Sequence, residues 1–169
     1  KLRKATTLVF SLFLGSPRDY PLSSKIYNQF KGKIKIIGIC LGFQILFNKS
    51  YEDGGVNCFS LIDGEVKDFR SAVHKGVKVP HMGWNKVKQK QNHILWKNIP
   101  DESFFYFVHS YYAQANNELH VFSDTYYEIN FTTSVMKENI FTCQYHPEKS
   151  SKYGLQLLSN FINWTEELK

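Results

Sequence analysis

The sequence predicts an α/β fold in a single domain that spans residues 1–169. Three features support this prediction. The apolar run "IIGICLGFQILF" passes from strand-like into helical spacing, the middle of the chain holds many short alternating segments, and an amphipathic segment closes it. Helices on both sides of a block of strands favour one sheet with helices packed against it and antiparallel strands added to it. A chain of 169 residues can bury a core of this kind.

The first predicted elements are a strand and a short helix. Residues 8–14 have the length of one buried strand and end at the turn sequence Gly-Ser-Pro. The basic residues before this apolar run are also typical of a signal peptide, and we favour the strand. Residues 23–31 predict a short helix, for which Ser24 is a possible cap.

A strand, a cysteine and a helix follow in immediate succession. Residues 33–39 alternate and then become wholly apolar, as a central strand does. From Leu41 onward the apolar residues recur at helical spacing. Cys40 therefore lies where a sharp turn can expose a side chain at the carboxyl end of a strand, the geometry called a nucleophile elbow.

The remainder of the chain is rich in predicted strands. Short alternating segments, "GEVKDF", "HKGVKVP" and "GWNKVKQ", precede the aromatic strand "SFFYFVHSYYA", and residues 118–146 predict two or three more. The last segment predicts an amphipathic helix whose apolar face consists of Leu155, Leu158, Phe161 and Ile162.

Composition excludes several classes of protein. A hydrophobic content of 43% excludes a disordered tail. The net charge is +6, but the lysines are scattered, so we expect a solvated surface and no nucleic-acid partner. No segment is long enough to cross a membrane. Three cysteines do not suggest a disulfide framework, and we expect thiols in a reducing, cytoplasmic compartment.

Cys40 has the surroundings that nucleophilic thiol chemistry needs. At the start of a helix the dipole and the unpaired N–H groups lower the pKa of a thiol. The N–H groups of Leu41 and Gly42 can also bind an oxyanion. Gly38 and Gly42 allow a tight turn and close approach of a substrate to the backbone. The alternative is that Cys40 is a small apolar residue in the core.

His146 is the best candidate base among the six histidines. It ends the apolar segment "NIFTCQYH", and a Pro-Glu pair follows it directly. Pro147 stiffens the turn, and Glu148 can fold back to hold the imidazole, so Cys40, His146 and Glu148 form a chemically coherent triad. His74 and His93 lie in polar stretches, and we expect His120 to be structural.

Two motifs resemble those of the class I (triad) glutamine amidotransferases. "GICLGFQ" is similar to their nucleophile motif and "QYHPEKS" to their C-terminal His-x-Glu motif. The resemblance implies a flavodoxin-like, three-layer fold with a mostly parallel central sheet and an antiparallel extension. It also implies that Cys40 forms a thioester with glutamine, that His146 moves the proton and that Glu148 orients His146. It implies no metal or cofactor, and it places the substrate glutamine against Gln44, Ser110 and Tyr111.

Further segments resemble the HisH subfamily, the glutaminase subunits of imidazole glycerol phosphate synthase. They are "VPHMGWNKV" and "FYFVHSYYA", and the similarity extends from about residue 33 to the end. The resemblance implies a heterodimer with a (β/α)8 barrel of the HisF type, which uses the ammonia in histidine biosynthesis. Pro80, Met82 and Trp84 would face that barrel. The alternative for Trp84 is that it packs in the core.

The N-terminal part departs from the subfamily pattern. The segment "FLGSPRDYP" stands where an oxyanion loop is expected, and of that loop it keeps Gly15 and a proline. We therefore expect an incomplete or divergent N-terminal part, with Gly15 as the remaining substrate-binding residue there. Two alternative functions fit such a chain. One is a paralogue that supplies ammonia for amidation of a nucleotide sugar in surface polysaccharide synthesis, and the other is a degenerate, non-catalytic interaction protein.

Overall fold

A computed structural model describes residues 7–11, 29 and 33–164 of the chain. Eleven strands and two α-helices are defined within these residues. The strands are β1 (Thr7–Ser11), β2 (Lys35–Ile39), β3 (Lys49–Ser50), β4 (Val56–Asn57), β5 (Gly64–Asp68), β6 (His81–Gln89), β7 (Ser103–His109), β8 (Tyr111–Ala115), β9 (Val121–Tyr127), β10 (Ile129–Lys137) and β11 (Ile140–Cys143). The helices are α1 (Leu41–Gln44) and α2 (Ser151–Asn163).

The strand that leads into α1 is β2, and it lies in the parallel part of the sheet. Strand β2 pairs in parallel with β1 on one side and with β11 on the other. The register places Ile39 opposite Cys143, so the carboxyl ends of β2 and β11 meet at one edge. Every residue of β2 except Lys35 is buried, which accounts for the apolar run in the sequence.

Antiparallel pairs extend the sheet from β11. The order continues through β10, β8 and β5, while β9 pairs with β10 and β6, and β6 pairs with β7. The predicted α/β class is confirmed as a mixed sheet, but among the described strands antiparallel pairs outnumber parallel ones. Part of the physical reason is that β9, β10 and β11 follow one another through connections of one and two residues, which are too short for a parallel crossover.

The hydrophobic core lies on both faces of the sheet and supports the elbow. One cluster contains Ile37, Phe107, Tyr145 and Leu157, and the other contains Ile36 and Phe43. Successive residues of β2 therefore pack into opposite clusters, as the alternation of side chains along a strand requires. The position of Cys40 at the end of β2 is consequently fixed from both sides.

Helix α2 packs through only part of the face predicted, since Phe161 is buried and Leu158 packs against the core. Its buried residues are Gly154, Leu157, Asn160 and Phe161, whereas Leu155 and Ile162 are exposed. Two close contacts select this face. A Cβ at Gly154 would collide with the carbonyl oxygen of Pro147. The Asn160 amide donates to the carbonyls of two residues in the turn after β6, Leu95 and Lys97.

Lys35 ties the end of α2 to the start of β2. Its Nζ donates to the carbonyl oxygens of Phe161, Ile162 and Trp164 at 2.7–2.9 Å. A cation at this position satisfies carbonyls that have no partner within the helix and complements the helix dipole. The C-terminal helix is thereby held against the strand that leads to Cys40.

The N-terminal predictions are tested only in part. Thr7–Ser11 forms β1, which confirms a strand in this region. The rest of the predicted strand, Gly15 and all of the helix expected at 23–31 except residue 29 lie outside the described residues. None of the helices described is both long and apolar enough to span a membrane.

Candidate active site

Cys40 lies on a strained turn between β2 and α1. Its backbone has φ 56° and ψ −108°, a conformation that an L-residue adopts at an energetic cost. The turn is held by hydrogen bonds on both sides of the cysteine. Its N–H donates to the Cys143 carbonyl at 2.9 Å, and its carbonyl accepts the N–H groups of Phe43 and Gln44. This is the nucleophile elbow that the sequence predicts.

Gly38 is required because the elbow passes very close to it. A Cβ on Gly38 would lie 2.6 Å from the Gly42 carbonyl oxygen and 2.6 Å from Cγ2 of Thr142. Helix α1 and strand β11 therefore both contact the backbone at this glycine. Any side chain there would push the helix that follows Cys40 away from the sheet.

The thiol of Cys40 is protonated in the resting protein at neutral pH. Burial raises its pKa to about 11, and the nearby carboxylates of Glu52 and Glu148 act in the same direction. The backbone N–H of Leu41 and the Lys149 ammonium lower the pKa and offset part of this effect. The predicted lowering of the thiol pKa by the helix start is therefore present but smaller than the effect of burial.

His146 and Glu148 form a directly bonded pair. Nδ1 of His146 lies 2.8 Å from Oε1 of Glu148, and the imidazole is buried while the carboxylate is partly exposed. Because a carboxylate only accepts hydrogen bonds, Nδ1 carries the proton and Nε2 is the basic nitrogen. This is the tautomer that a general base needs.

The turn that carries His146 is anchored to β7 and to α2. The His146 N–H donates to the Tyr106 carbonyl at 2.9 Å. The Ser150 hydroxyl donates to the His146 carbonyl and accepts the Tyr106 N–H at 2.9 Å. The Gly154 backbone then packs directly on Pro147. The orientation of the imidazole is thus set by two neighbouring elements as well as by Glu148.

The sheet brings the two halves of the predicted triad to the same edge. Cys40 follows β2, His146 comes three residues after the end of β11, and these strands are parallel neighbours. The carboxylate of Glu148 and the ammonium of Lys149 both act electrostatically on the Cys40 thiol. Residues more than a hundred positions apart in the chain therefore share one site.

Gln44 and Tyr111, two of the predicted substrate-binding residues, are bonded to each other. The Gln44 Nε2 donates to the Tyr111 carbonyl at 3.2 Å and to Oε1 of Gln144 at 2.8 Å. Only Oε1 of Gln44 is then left for a substrate. The Ser110 carbonyl accepts the Phe69 N–H at 3.0 Å and supports the start of β8.

Gln144 is the site residue that sequence reasoning missed. It is fully buried, and its Nε2 lies 3.7 Å from the Cys40 sulfur. Its backbone N–H donates to the Thr133 carbonyl at 2.8 Å, which fixes it against β10. The signal available in the sequence was a glutamine two residues before His146 in an otherwise apolar segment, since a buried amide requires hydrogen-bond partners.

His81 and His109 form a second buried pair, which contacts the Tyr111 carbonyl that also accepts a hydrogen bond from Gln44. His81 Nδ1 lies 3.0 Å from His109 Nε2, and His109 Nδ1 lies 2.7 Å from the Tyr111 carbonyl oxygen. Asn85 Nδ2 lies 3.2 Å from His81 Nε2. Burial lowers the pKa of His81 to about 4 and that of His109 to about 3, so both are neutral at pH 7.

The predicted partner-facing residues lie on the exposed side of β6. Met82 and Trp84 are 61% and 51% exposed, which excludes a core position for Trp84, and Pro80 is exposed just before the strand. Phe104, 51% exposed, and Tyr106 lie on the paired strand β7, where Tyr106 is opposite Trp84. We call Met82, Trp84, Phe104 and Tyr106 the aromatic face.

The described residues contain no cluster of three or more histidine, cysteine or acidic residues arranged to hold a metal ion. None of the three cysteines, all of which the structure describes, forms a disulfide bond.

Comparison with known proteins finds one family over almost the whole chain. The family model described as "Glutamine amidotransferase class-I" matches residues 2–164. The HisH 1 subunit of imidazole glycerol phosphate synthase from Pseudomonas aeruginosa is 46% identical over 131 residues, which are 76% of this chain and 62% of that protein. The HisH subunit from Nitrosomonas europaea is 42% identical over 153 residues, 87% of this chain and 71% of that protein.

Solved structures agree in fold. A putative GMP synthase protein from Thermoplasma acidophilum superposes with a TM-score of 0.59 at 20% identity, covering 93% of this chain and 70% of that one. A glutamine amidotransferase from Thermotoga maritima gives 0.59 at 15% identity, covering 96% and 66%. The chain spans about three fifths of the length of the first curated relatives, 62% for the Pseudomonas aeruginosa protein.

Proposed function

The chain belongs to the class-I glutamine amidotransferase family, in its HisH subfamily, and on this premise we propose that it hydrolyses L-glutamine to L-glutamate and ammonia. The observation that carries the proposal is the position of Cys40, on a strained elbow at the same sheet edge as the bonded His146–Glu148 pair. Nucleophile, base and orienting carboxylate are the three parts of a triad.

The proposed reaction begins with transfer of the Cys40 proton to Nε2 of His146. The resulting thiolate attacks the side-chain carbonyl carbon of glutamine, and a C–S bond forms. In this proposal the N–H groups of Leu41 and Gly42 bind the oxyanion. His146 then gives its proton to the leaving nitrogen, which departs as ammonia and leaves a γ-glutamyl thioester on Cys40.

Water completes the proposed cycle. His146 removes a proton from a water molecule, and the hydroxide attacks the thioester carbonyl. The C–S bond breaks, glutamate is released and the proton returns to the sulfur. Glu148 keeps Nδ1 protonated throughout, so Nε2 alternates between base and acid. A resting thiol with a pKa of about 11 requires this proton transfer before attack.

We further propose that the aromatic face binds a (β/α)8 barrel subunit of the HisF type, which consumes the ammonia in histidine biosynthesis. Exposed aromatic and Met residues are enriched at protein interfaces. Tyr106 on this face shares its backbone hydrogen bonds with His146 and Ser150, so a bound partner lies close to the base. The three thiols fit a cytoplasmic enzyme.

Labelled glutamine tests the glutaminase directly. We expect a γ-glutamyl thioester on Cys40, detected by mass spectrometry after rapid acid quench, and no thioester in Cys40→Ala. A Cys58→Ala variant is the matched control, since Cys58 packs with Leu41 and Ile45 in a small separate cluster and is not part of the triad. If no thioester forms and glutamate release is unchanged in Cys40→Ala, the proposed glutaminase is wrong.

Binding to the barrel tests the partner and the acceptor. Trp84→Ser should weaken co-purification with the barrel subunit, whereas Tyr126→Ser, which changes another exposed aromatic residue on β9, should not. The acceptor is identified by supplying the complex with glutamine and either the histidine-pathway ribotide or a nucleotide sugar. Amidation of the nucleotide sugar alone would overturn the assignment to histidine biosynthesis.

A further inference from the structure

The orientation of Gln44 is fixed by a backbone carbonyl. The Tyr111 carbonyl accepts hydrogen bonds and cannot donate them, so the Gln44 atom 3.2 Å from it must be the amide nitrogen. The same nitrogen lies 2.8 Å from one terminal atom of Gln144, which must therefore be the acceptor oxygen. Neither amide can be flipped without placing two donors or two acceptors in contact.

The orientation of Gln144 follows from that of Gln44. Because its oxygen faces Gln44, its nitrogen faces the sulfur of Cys40, at a distance of 3.7 Å. The side chain is fully buried and its backbone is bonded to Thr133, so it has no room to turn away. A hydrogen-bond donor is thus held permanently against the nucleophile.

The buried histidine pair reinforces the same orientation. His109 Nδ1 must be the donor to the Tyr111 carbonyl, so its Nε2 accepts from Nδ1 of His81. Nε2 of His81 then accepts from the Asn85 amide. Each imidazole has one defined tautomer, and the carbonyl that positions Gln44 is itself held by His109.

We propose that Gln144 is a further catalytic residue, whose amide N–H donates to the Cys40 sulfur and stabilises the thiolate. The proposal rests on the proposed glutaminase function, in which that thiolate is the nucleophile. A hydrogen bond to an ionised acceptor is stronger than one to a neutral acceptor, so the contact favours the thiolate over the thiol.

The groups around the Cys40 sulfur have opposing effects on its ionisation, so an additional hydrogen-bond donor shifts the balance toward the thiolate. Burial and the carboxylates of Glu52 and Glu148 oppose ionisation, while the Leu41 N–H and the Lys149 ammonium favour it. Gln144 adds a neutral donor to the two favourable groups. Its position is set by the hydrogen bond from Gln44, which also donates to the Tyr111 carbonyl, and by the Thr133 carbonyl that accepts its backbone N–H.

The pKa of the Cys40 thiol tests the proposal without requiring glutaminase activity. The rate of alkylation of Cys40 by iodoacetamide is measured from pH 6 to 11 on the full chain, with the modified peptide quantified by mass spectrometry. We expect Gln144→Met to raise the apparent thiol pKa by about one unit, which slows alkylation at pH 8 about tenfold. Gln114→Met, which changes an exposed glutamine on β8, should leave the profile unchanged.

A second variant distinguishes loss of the hydrogen-bond donor from loss of the folded structure. Gln144→Glu keeps the shape and the acceptor for Gln44 but replaces the donor by a carboxylate, and it should raise the thiol pKa further. A near-parental thermal melting profile verifies that it is folded. An unchanged alkylation profile in a folded Gln144→Glu protein would overturn the proposal. Failure of the glutaminase is seen separately, as absence of glutamate release by the parent protein.

Discussion

The hydroxyl of Ser150 accepts the backbone N–H of Tyr106 at 2.9 Å and so fastens the turn after His146 to strand β7. The same hydroxyl donates to the His146 carbonyl. One small side chain at the start of α2 therefore joins the aromatic face, the base and the C-terminal helix. These hydrogen bonds fix the position of the base although its turn is only a few residues long.

Ser150→Ala should lower both stability and catalysis. It leaves the buried Tyr106 N–H without its partner and removes one of the two donors to the His146 carbonyl, which keeps the Lys149 N–H; the cost is about 1–3 kcal/mol of unfolding free energy. We expect kcat for glutamine to fall more than KM changes, because the base is displaced while Gln44 is not. Urea denaturation and steady-state glutamate release measure the two effects. Ser159→Ala, on the exposed side of the same helix, should behave like the parent.

Glu148→Gln should reduce glutaminase activity about 10²-fold or more, the usual contribution of general acid–base catalysis. The amide removes the charge that stabilises the protonated imidazole, and it allows the wrong tautomer of His146. The measurement is the rate of glutamate release at saturating glutamine, with Glu118→Gln, which changes an exposed residue before β9, as the control. Equal activity of the two variants would contradict the assigned role of Glu148.

The His81–His109 pair should make stability depend on pH below neutrality. Both pKa values are lowered by burial, to about 4 and about 3, whereas an unfolded histidine titrates near 6.5. The unfolded state takes up protons first, so the free energy of unfolding is highest above about pH 6.5. It decreases as the pH falls from about 6.5 toward 4, by up to about 1.4 kcal/mol per pH unit for each histidine.

Replacement of one imidazole tests this pH dependence. His109→Asn keeps a donor for the Tyr111 carbonyl but cannot titrate, so the decrease between pH 6.5 and 4 should become shallower than in the parent. Urea denaturation at several pH values provides the comparison. His120→Asn changes a histidine outside the pair and should retain the parental slope. A parental slope in His109→Asn would show that the pair is not the source.

Gly38→Ala should distort the elbow and can be rescued in part. The added methyl group meets the Gly42 carbonyl and Cγ2 of Thr142, and overpacking of this kind costs about 1–3 kcal/mol. Thr142→Ser removes only that Cγ2 methyl and should restore part of the lost stability in the double variant. A double-mutant cycle with no coupling between positions 38 and 142 would contradict the predicted clash.

Lys35→Met should loosen the C-terminal helix. It removes three hydrogen bonds to the last carbonyls of α2 and a favourable charge at the end of the helix, with an expected loss of about 1–2 kcal/mol. Lys33→Met, at an exposed position two residues earlier, is the matched control. Hydrogen exchange should show faster opening of residues 157–163 in Lys35→Met alone.

The sequence was most informative where local chemistry decides the structure. An apolar strand that runs into Gly-x-Cys-x-Gly predicts the elbow, and Pro147 followed by Glu148 predicts the folded-back turn that the structure confirms. Both can be predicted from residues adjacent in sequence, although distant contacts, such as that of the Cys40 N–H with the Cys143 carbonyl, hold them in place. The roles assigned to the triad stay predictions until they are measured.

Tertiary contacts decided the features that the sequence did not reveal. The predicted face of α2 was wrong at Leu155 and Ile162 because hydropathy ranks them above Gly154 and Asn160, whereas contacts with Pro147 and with two distant carbonyls place the latter in the interface. The extent of antiparallel pairing depended on how the strands are connected. The role of Gln144 could not be read from sequence because its partners, Gln44 and Cys40, lie 100 and 104 residues earlier.

The order of the strands in the sheet determines which parts of the site form last during synthesis. Strand β11 lies between β2 and β10, yet it is the last strand in chain order among those described. During synthesis Cys40 leaves the ribosome long before the strand that accepts its N–H exists. The reactive thiol is therefore made early and its pocket is completed last, so a nascent chain carries the nucleophile without the means to use it.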